Sequence, residues 1–117
     1  MSFIGKILSK SQKDSVDVED FLNTLDTETQ EVEDADAYIK PMFLKADTDL
    51  KTIAKELKDG NTVLLNVSEI IKRNPLRLKE QINKLKRFID EIDGDVARIS
   101  EEKLILTPAR IKIIKKK

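Results

Sequence analysis

The chain has no cysteine and no histidine, and only three glycines and three prolines in 117 residues. Without those two side chains it has no disulfide, no thiolate nucleophile, no histidine base and neither of the best zinc ligands, which fits a reducing compartment. Three glycines leave no room for a phosphate-cradling loop. A calcium loop needs a glycine at its turn, and none occurs among the carboxylates between Asp14 and Ala37. No apolar run approaches the roughly 18 residues of a membrane span. The start of the chain is also a poor signal peptide, because Gly5 and Lys6 interrupt the apolar stretch and no small-residue cleavage pattern follows. Ser2 stands where myristoylation requires glycine. Asn66-Val67-Ser68 fits a glycosylation triplet but falls in an expected strand, so it is discounted. No catalytic residue, metal site, cofactor or small-molecule substrate is expected.

A net charge of zero conceals strong segregation. Residues 1–13 carry +3 with no acid, residues 14–37 carry −10 with no base, and residues 38–117 carry +7. Such blocks mark segments with separate tasks. In Met1–Lys13 (MSFIGKILSKSQK), helical winding gathers Met1, Phe3, Ile4, Ile7 and Leu8 on one side, with Lys6, Lys10 and Lys13 on the rest. A helix this short does not hold alone in water. Its greasy face and lysines suit a lipid interface, and docking back on the domain is the competing reading.

Residues 14–37 are too charged and too poor in apolar side chains to offset their ordering entropy, so they are expected to form a disordered tether. As a flexible chain it would span about 25–30 Å. Val18, Phe21, Leu22 and Leu25 interrupt it at the spacing of one helical face, which fits a partner-docking helix or a transient one.

Order is expected over 38–114, with a basic tail at 115–117. Ala37–Ala46 reads as a strand that Pro41 confines to an edge or bulge. Leu50, Ile53, Ala54 and Leu57 form a helical stripe, with Asp47 or Thr48 as cap and Gly60 as terminator. Thr62–Val67 is a strand, and Ser68–Arg73 a connection. Asn74-Pro75 starts a second helix, whose Leu78, Ile82, Leu85, Ile89 and Ile92 repeat as one face until Asp93-Gly94. Asp95–Ser100 and Leu104–Thr107 read as a hairpin, and Arg110–Ile114 as a last strand. The expected fold is an α/β (α+β) sandwich of order β-α-β-α-β-β-β. It has a mixed sheet of about five strands and two helices on one face. Val63-Leu64-Leu65 and Leu104-Ile105-Leu106 are apolar at consecutive positions, so both sheet faces ask for burial. Two helices cover one, and the other points to a homodimer.

Three stretches carry a family resemblance: Asn61–Val67 (NTVLLNV), Ile92–Ile99 (IDGDVARI) and Leu104–Pro108 (LILTP). Their order and spacing resemble SepF, the membrane anchor of the FtsZ division ring, in its archaeal form. The likeness covers about two-thirds of the chain. It implies a cell division protein that is peripheral on the cytoplasmic side of the membrane at the division site. Its N-terminal helix would bind an anionic membrane surface, and its dimeric core the C-terminal tail of FtsZ. With the tether, this favours the lipid reading of Met1–Lys13. Bacterial members carry a glycine seven residues before the Asp-Gly turn, associated with packing dimers into filaments. Arg87 stands there, and a long cation obstructs such a contact. For the FtsZ peptide, an apolar floor with a basic rim is required, and Phe43, Leu65, Arg98, Ile99 and Ile113 are nominated. The alternative is a small nucleic-acid-binding protein using Lys79, Lys84, Lys86 and Arg87. Against it, the strands lack the paired aromatics of a base-stacking sheet.

Overall fold

A computed structural model describes residues 14–28 and 34–115, and the chain divides into two units, Met1–Asp34 and Ala35–Lys117. In the first unit, helix α1 spans Asp14–Glu28, where a disordered tether is expected. The segment has no proline or glycine to break it. Val18, Phe21, Leu22 and Leu25 form its apolar stripe and are all about half exposed. Met1–Lys13 lies outside the described residues.

The second unit contains β1 (Ile39–Phe43), α2 (Thr48–Lys58), β2 (Thr62–Asn66), α3 (Ser68–Arg73), α4 (Pro75–Glu91), β3 (Asp95–Ser100) and β4 (Lys103–Thr107). The described strands form one mixed sheet of order β1-β2-β4-β3. β1 runs parallel to β2, and the other pairings are antiparallel. Two expectations are corrected here. Ser68–Arg73 is a short helix rather than an irregular connection, and the sheet has four strands rather than five.

The missing strand has a local cause. After Pro108, Arg110 adopts φ 70° and turns the chain back toward the end of α4, where its N–H donates to the Asp93 carbonyl at 2.9 Å. From there the backbone is held by side chains instead of a ladder. The Ile113 N–H donates to Asp95 Oδ2 at 2.8 Å, and the Thr107 hydroxyl to the Ile111 carbonyl at 2.5 Å. Lys115, expected in a solvated tail, pairs with Asp95 Oδ1 at 2.8 Å.

Strand alternation divides the sheet into two faces. Val63 and Leu65 of β2 and Leu106 of β4 point to the helices and join Leu44, Ile53, Leu57, Val67, Ile70, Leu85 and Ile89 in a fully buried core. Among the described residues of this unit, the opposite face carries no helix. There Pro41, Leu64, Ile105 and Ala97 stand in register across all four strands as one apolar row.

Helix ends follow their chemistry. The Asn74 side chain accepts the Arg77 N–H at 3.1 Å, with Pro75 in the first turn. At the end of α2 the Asn61 N–H reaches the Glu56 carbonyl at 3.0 Å and the Gly60 N–H reaches Leu57 at 3.1 Å, with Gly60 at φ 93°. This is the paired-bond stop that favours glycine at the left-handed position. α4 ends the same way, but Asp93 takes the left-handed place at φ 64°. Gly94 is thereby left for a close approach: a Cβ there would collide with the Thr107 carbonyl oxygen. The buried Asn61 ties β1 to α2. It accepts the Tyr38 N–H at 2.9 Å and donates to Glu56 Oε1 at 2.9 Å, while Lys40 holds Glu56 Oε2 at 2.9 Å. Hydrogen bonds from Lys40 and then Asn61 hold the Glu56 carboxyl below its ordinary pKa.

Candidate functional site

Pro41 sits in an edge strand. The Thr62 N–H reaches the Tyr38 carbonyl and the Leu44 N–H the Asn66 carbonyl, so even-numbered residues of β1 face β2. Pro41 therefore lacks a donor only on the outer edge, and that edge is blunted against strand addition.

The nominated peptide residues do not form one patch. Phe43 is 54% exposed on the open sheet face, at the β1 edge. Ile99 is 53% exposed at the bulge of β3, on the opposite edge, about 14 Å away at three strand spacings. Arg98 is exposed, but its guanidinium donates to the Ser100 and Glu101 carbonyls at 2.9 and 2.8 Å, bracing the hairpin turn. Ile113 is half-buried at the other end of β3, held by Asp95. Leu65 is a correction: at 0% exposure in the core it is closed to any peptide. In an unbroken Val63-Leu64-Leu65 run nothing local says which leucine faces out; the ladder points Leu64 outward.

A cavity of about 510 Å³ opens where the β1–α2 link, α3 and α4 meet. Ile70 and Gln81, each 1% exposed, belong to its lining, with Lys45, Asp47, Arg73 and Arg77 around them. Each rim cation is held in place. Arg73 donates to the Lys45 carbonyl at 2.7 Å, Arg77 pairs with Asp47, and Lys45 Nζ lies 5.3 Å from the centre of the Phe43 ring. Gln81 donates from Nε2 to Asp47 Oδ1 at 2.6 Å. That hydrogen bond, then the charges of Arg77 and Lys84, keep the Asp47 carboxyl below its ordinary pKa. Because Asp47 can only accept, Gln81 Oε1 must point elsewhere, and among the described residues this buried acceptor has no partner. Leaving such a group unpaired costs about 1–3 kcal/mol.

Sequence reasoning missed this cluster. Asp47 reads as a helix cap, yet makes no capping bond; Asp49 instead accepts the Lys45 and Ala46 N–H groups at 2.8 and 3.0 Å. Gln81 is legible only afterwards, as a polar residue four before Leu85 and eight before Ile89 on the buried face of α4. On the solvent side of that helix Lys79, Lys84, Lys86 and Arg87 are all exposed.

Comparison with known proteins places this architecture. A family profile described as cell division protein SepF matches residues 39–113. A SepF-like protein from Pyrococcus furiosus is 35% identical, covering 71% of this chain and 100% of its own, with a TM-score of 0.64. One from Archaeoglobus fulgidus is 28% identical over 68% of this chain and 95% of its own, with a TM-score of 0.63. Cell division protein SepF from Methanobrevibacter smithii, solved in complex with FtsZ-CTD, shares the fold. It is 19% identical over 68% of this chain and 99% of its own, with a TM-score of 0.60. No match to a curated protein sequence is found. The four-stranded mixed sheet, its helical cover and the match across 39–113 show that the chain belongs to the SepF family of cell division proteins.

Proposed function

We propose that this chain anchors FtsZ to the cytoplasmic face of the membrane at the division site, without catalysing a reaction. The observation that carries the reading is family membership, joined to a relative solved in complex with FtsZ-CTD. The charge segregation supports it: a basic amphipathic segment at 1–13, an acidic stretch at 14–37 and a basic domain suit an anchor, a tether and a binding core.

The lipid contact is assigned to Met1, Phe3, Ile4, Ile7 and Leu8 as the inserted face, with Lys6, Lys10 and Lys13 on anionic headgroups. Each apolar side chain contributes on the order of 1–2 kcal/mol and each lysine about 1 kcal/mol, set against the cost of folding the helix. One copy binds reversibly. The open sheet face supports self-association, because its apolar row lies on the side that helices α2, α3 and α4 leave bare. A twofold dimer brings two anchors to one particle and adds avidity. Flotation of the protein with anionic vesicles tests the anchor. Wild-type protein should float, and a Phe3→Asp, Ile7→Asp variant should stay at the bottom; equal flotation of both would remove 1–13 from the lipid contact.

A further inference from the structure

We propose that the outer strip of α4, from Leu76 to Arg87, is a second lipid contact that lays the core domain on anionic headgroups. The proposal rests on the anchoring reading and adds to the segment at 1–13 a contact made by the folded domain itself.

At 3.6 residues per turn, Leu76, Lys79, Asn83, Lys86, Arg87 and Asp90 fall within an arc of about 100° on α4. The arc lies away from Leu85 and Ile89, which are buried in the core. All six residues are exposed, and Leu76 keeps 69% of its surface in solvent. Lys79, Lys86 and Arg87 have no ion-pair or hydrogen-bond partner among the described residues. Cations on the other helices of this unit do: Lys55 pairs with Asp59 on α2, Arg73 with Glu69 on α3, and Lys72 with Glu102. The acids nearest the strip, Asp90 and Glu91, stand C-terminal to the bases, which is the weaker order for a helical pair. Its charges are thus left for an outside anion.

An anionic leaflet matches both parts of the strip. Headgroup phosphates receive the cations, each of which strengthens association about fivefold. Leu76 reaches the acyl boundary beneath them. A nucleic-acid backbone would take the cations but offers nothing to an exposed leucine. Residues 14–37 join the anchor covalently to this domain, so an inserted anchor presents the strip to the same leaflet at high effective concentration. Other surfaces match less well. Helix α2 carries the exposed Lys51 and Lys58 but no exposed large apolar side chain. The open sheet face has its apolar row without such a group of cations, which suits a second copy.

The chain has no cysteine, so a single introduced one can carry an environment-sensitive dye. Full-length Leu76→Cys and, beside the β3–β4 turn, Ser100→Cys are labelled and titrated with vesicles of mixed phosphatidylglycerol and phosphatidylcholine, or of phosphatidylcholine alone. On the mixed vesicles the dye at 76 should shift to the blue and the dye at 100 should not; phosphatidylcholine alone should move neither. Lys79→Glu combined with Lys86→Glu alters two exposed, unpaired side chains and should fold normally. It should weaken affinity for the mixed vesicles by roughly tenfold or more with residues 1–13 intact. A chain that binds these vesicles with the dye at 76 still in water, or a double variant that binds as tightly as wild type, overturns the second contact and leaves the anchor standing. A dye at 76 that responds to an RNA or DNA duplex and not to vesicles overturns it in favour of nucleic acid. Absence of vesicle binding by the wild-type chain overturns the membrane reading and the second contact together.

Discussion

Leu64 and Ile105 face each other across the β2–β4 ladder, on the side of the sheet away from helices α2, α3 and α4. Both are only half-buried, whereas their neighbours Leu65 and Leu106 are sealed beneath the helices. One residue step along either strand thus separates a core position from one on the open face.

Replacing Leu64 and Ile105 together with aspartate should leave the fold intact and convert a dimer to a monomer in sedimentation velocity. Leu65→Ala should do the opposite, costing about 2–5 kcal/mol of stability through a core cavity. A double variant that stays dimeric would move the assembly surface elsewhere.

Asp95 gathers the end of the chain through Lys115 Nζ, the Ile113 N–H and its own neighbour's Val96 N–H. Those three bonds, in that order, hold its carboxyl far below the ordinary carboxylate range. A depressed folded pKa means the contribution is complete above the unfolded value of about 3.9 and is lost as pH falls through the lower, folded one. The Ile113 amide should therefore stay protected from exchange at neutral pH and lose protection on acidification. Asp95→Asn should show faster exchange already at pH 7. Equal protection in the variant would mean that the segment is held by other contacts.

The two turn glycines should respond differently to alanine. Gly94→Ala sets a methyl against the Thr107 carbonyl and near Ile89, and the backbone cannot yield cheaply. A loss on the order of 3 kcal/mol is expected in urea unfolding. Gly60→Ala meets open space but must hold φ 93°, costing about 1–2 kcal/mol. The reverse ranking would show that the β3–β4 approach is not tight.

Asn61→Ala should cost about 1–3 kcal/mol, since it leaves the Tyr38 N–H without the Asn61 oxygen and Glu56 with Lys40 but no amide donor. Thermal unfolding of the variant measures it, and a change within a few tenths of a kcal/mol would mean the pair finds substitutes.

What the sequence made legible were elements whose cause is local. Asn74-Pro75 states a helix start, Gly60 a helix stop, and Pro41 an edge strand, because each constrains its own backbone. The Arg110–Ile114 stretch failed because its apolar alternation says nothing about whether a ladder is free to receive it; Asp95 and Thr107 take its backbone groups first. Residues 14–28 failed in the other direction, since charge density argued for disorder while the Val18–Leu25 spacing and the lack of breakers allowed a helix. Of the nominated peptide residues, Leu65 was lost to the ladder register. The Asp47–Gln81 pair, 34 residues apart, depends on how α4 packs beside the β1–α2 link and has no short-range signature.

Co-flotation asks whether one chain joins FtsZ to a lipid surface. Labelled FtsZ tail peptide should rise with anionic vesicles only when the full chain is present, and should remain at the bottom with a chain lacking residues 1–13. Peptide that rises equally with the truncated chain, or fails to rise with the full chain, would mean that residues 1–13 do not couple FtsZ to lipid.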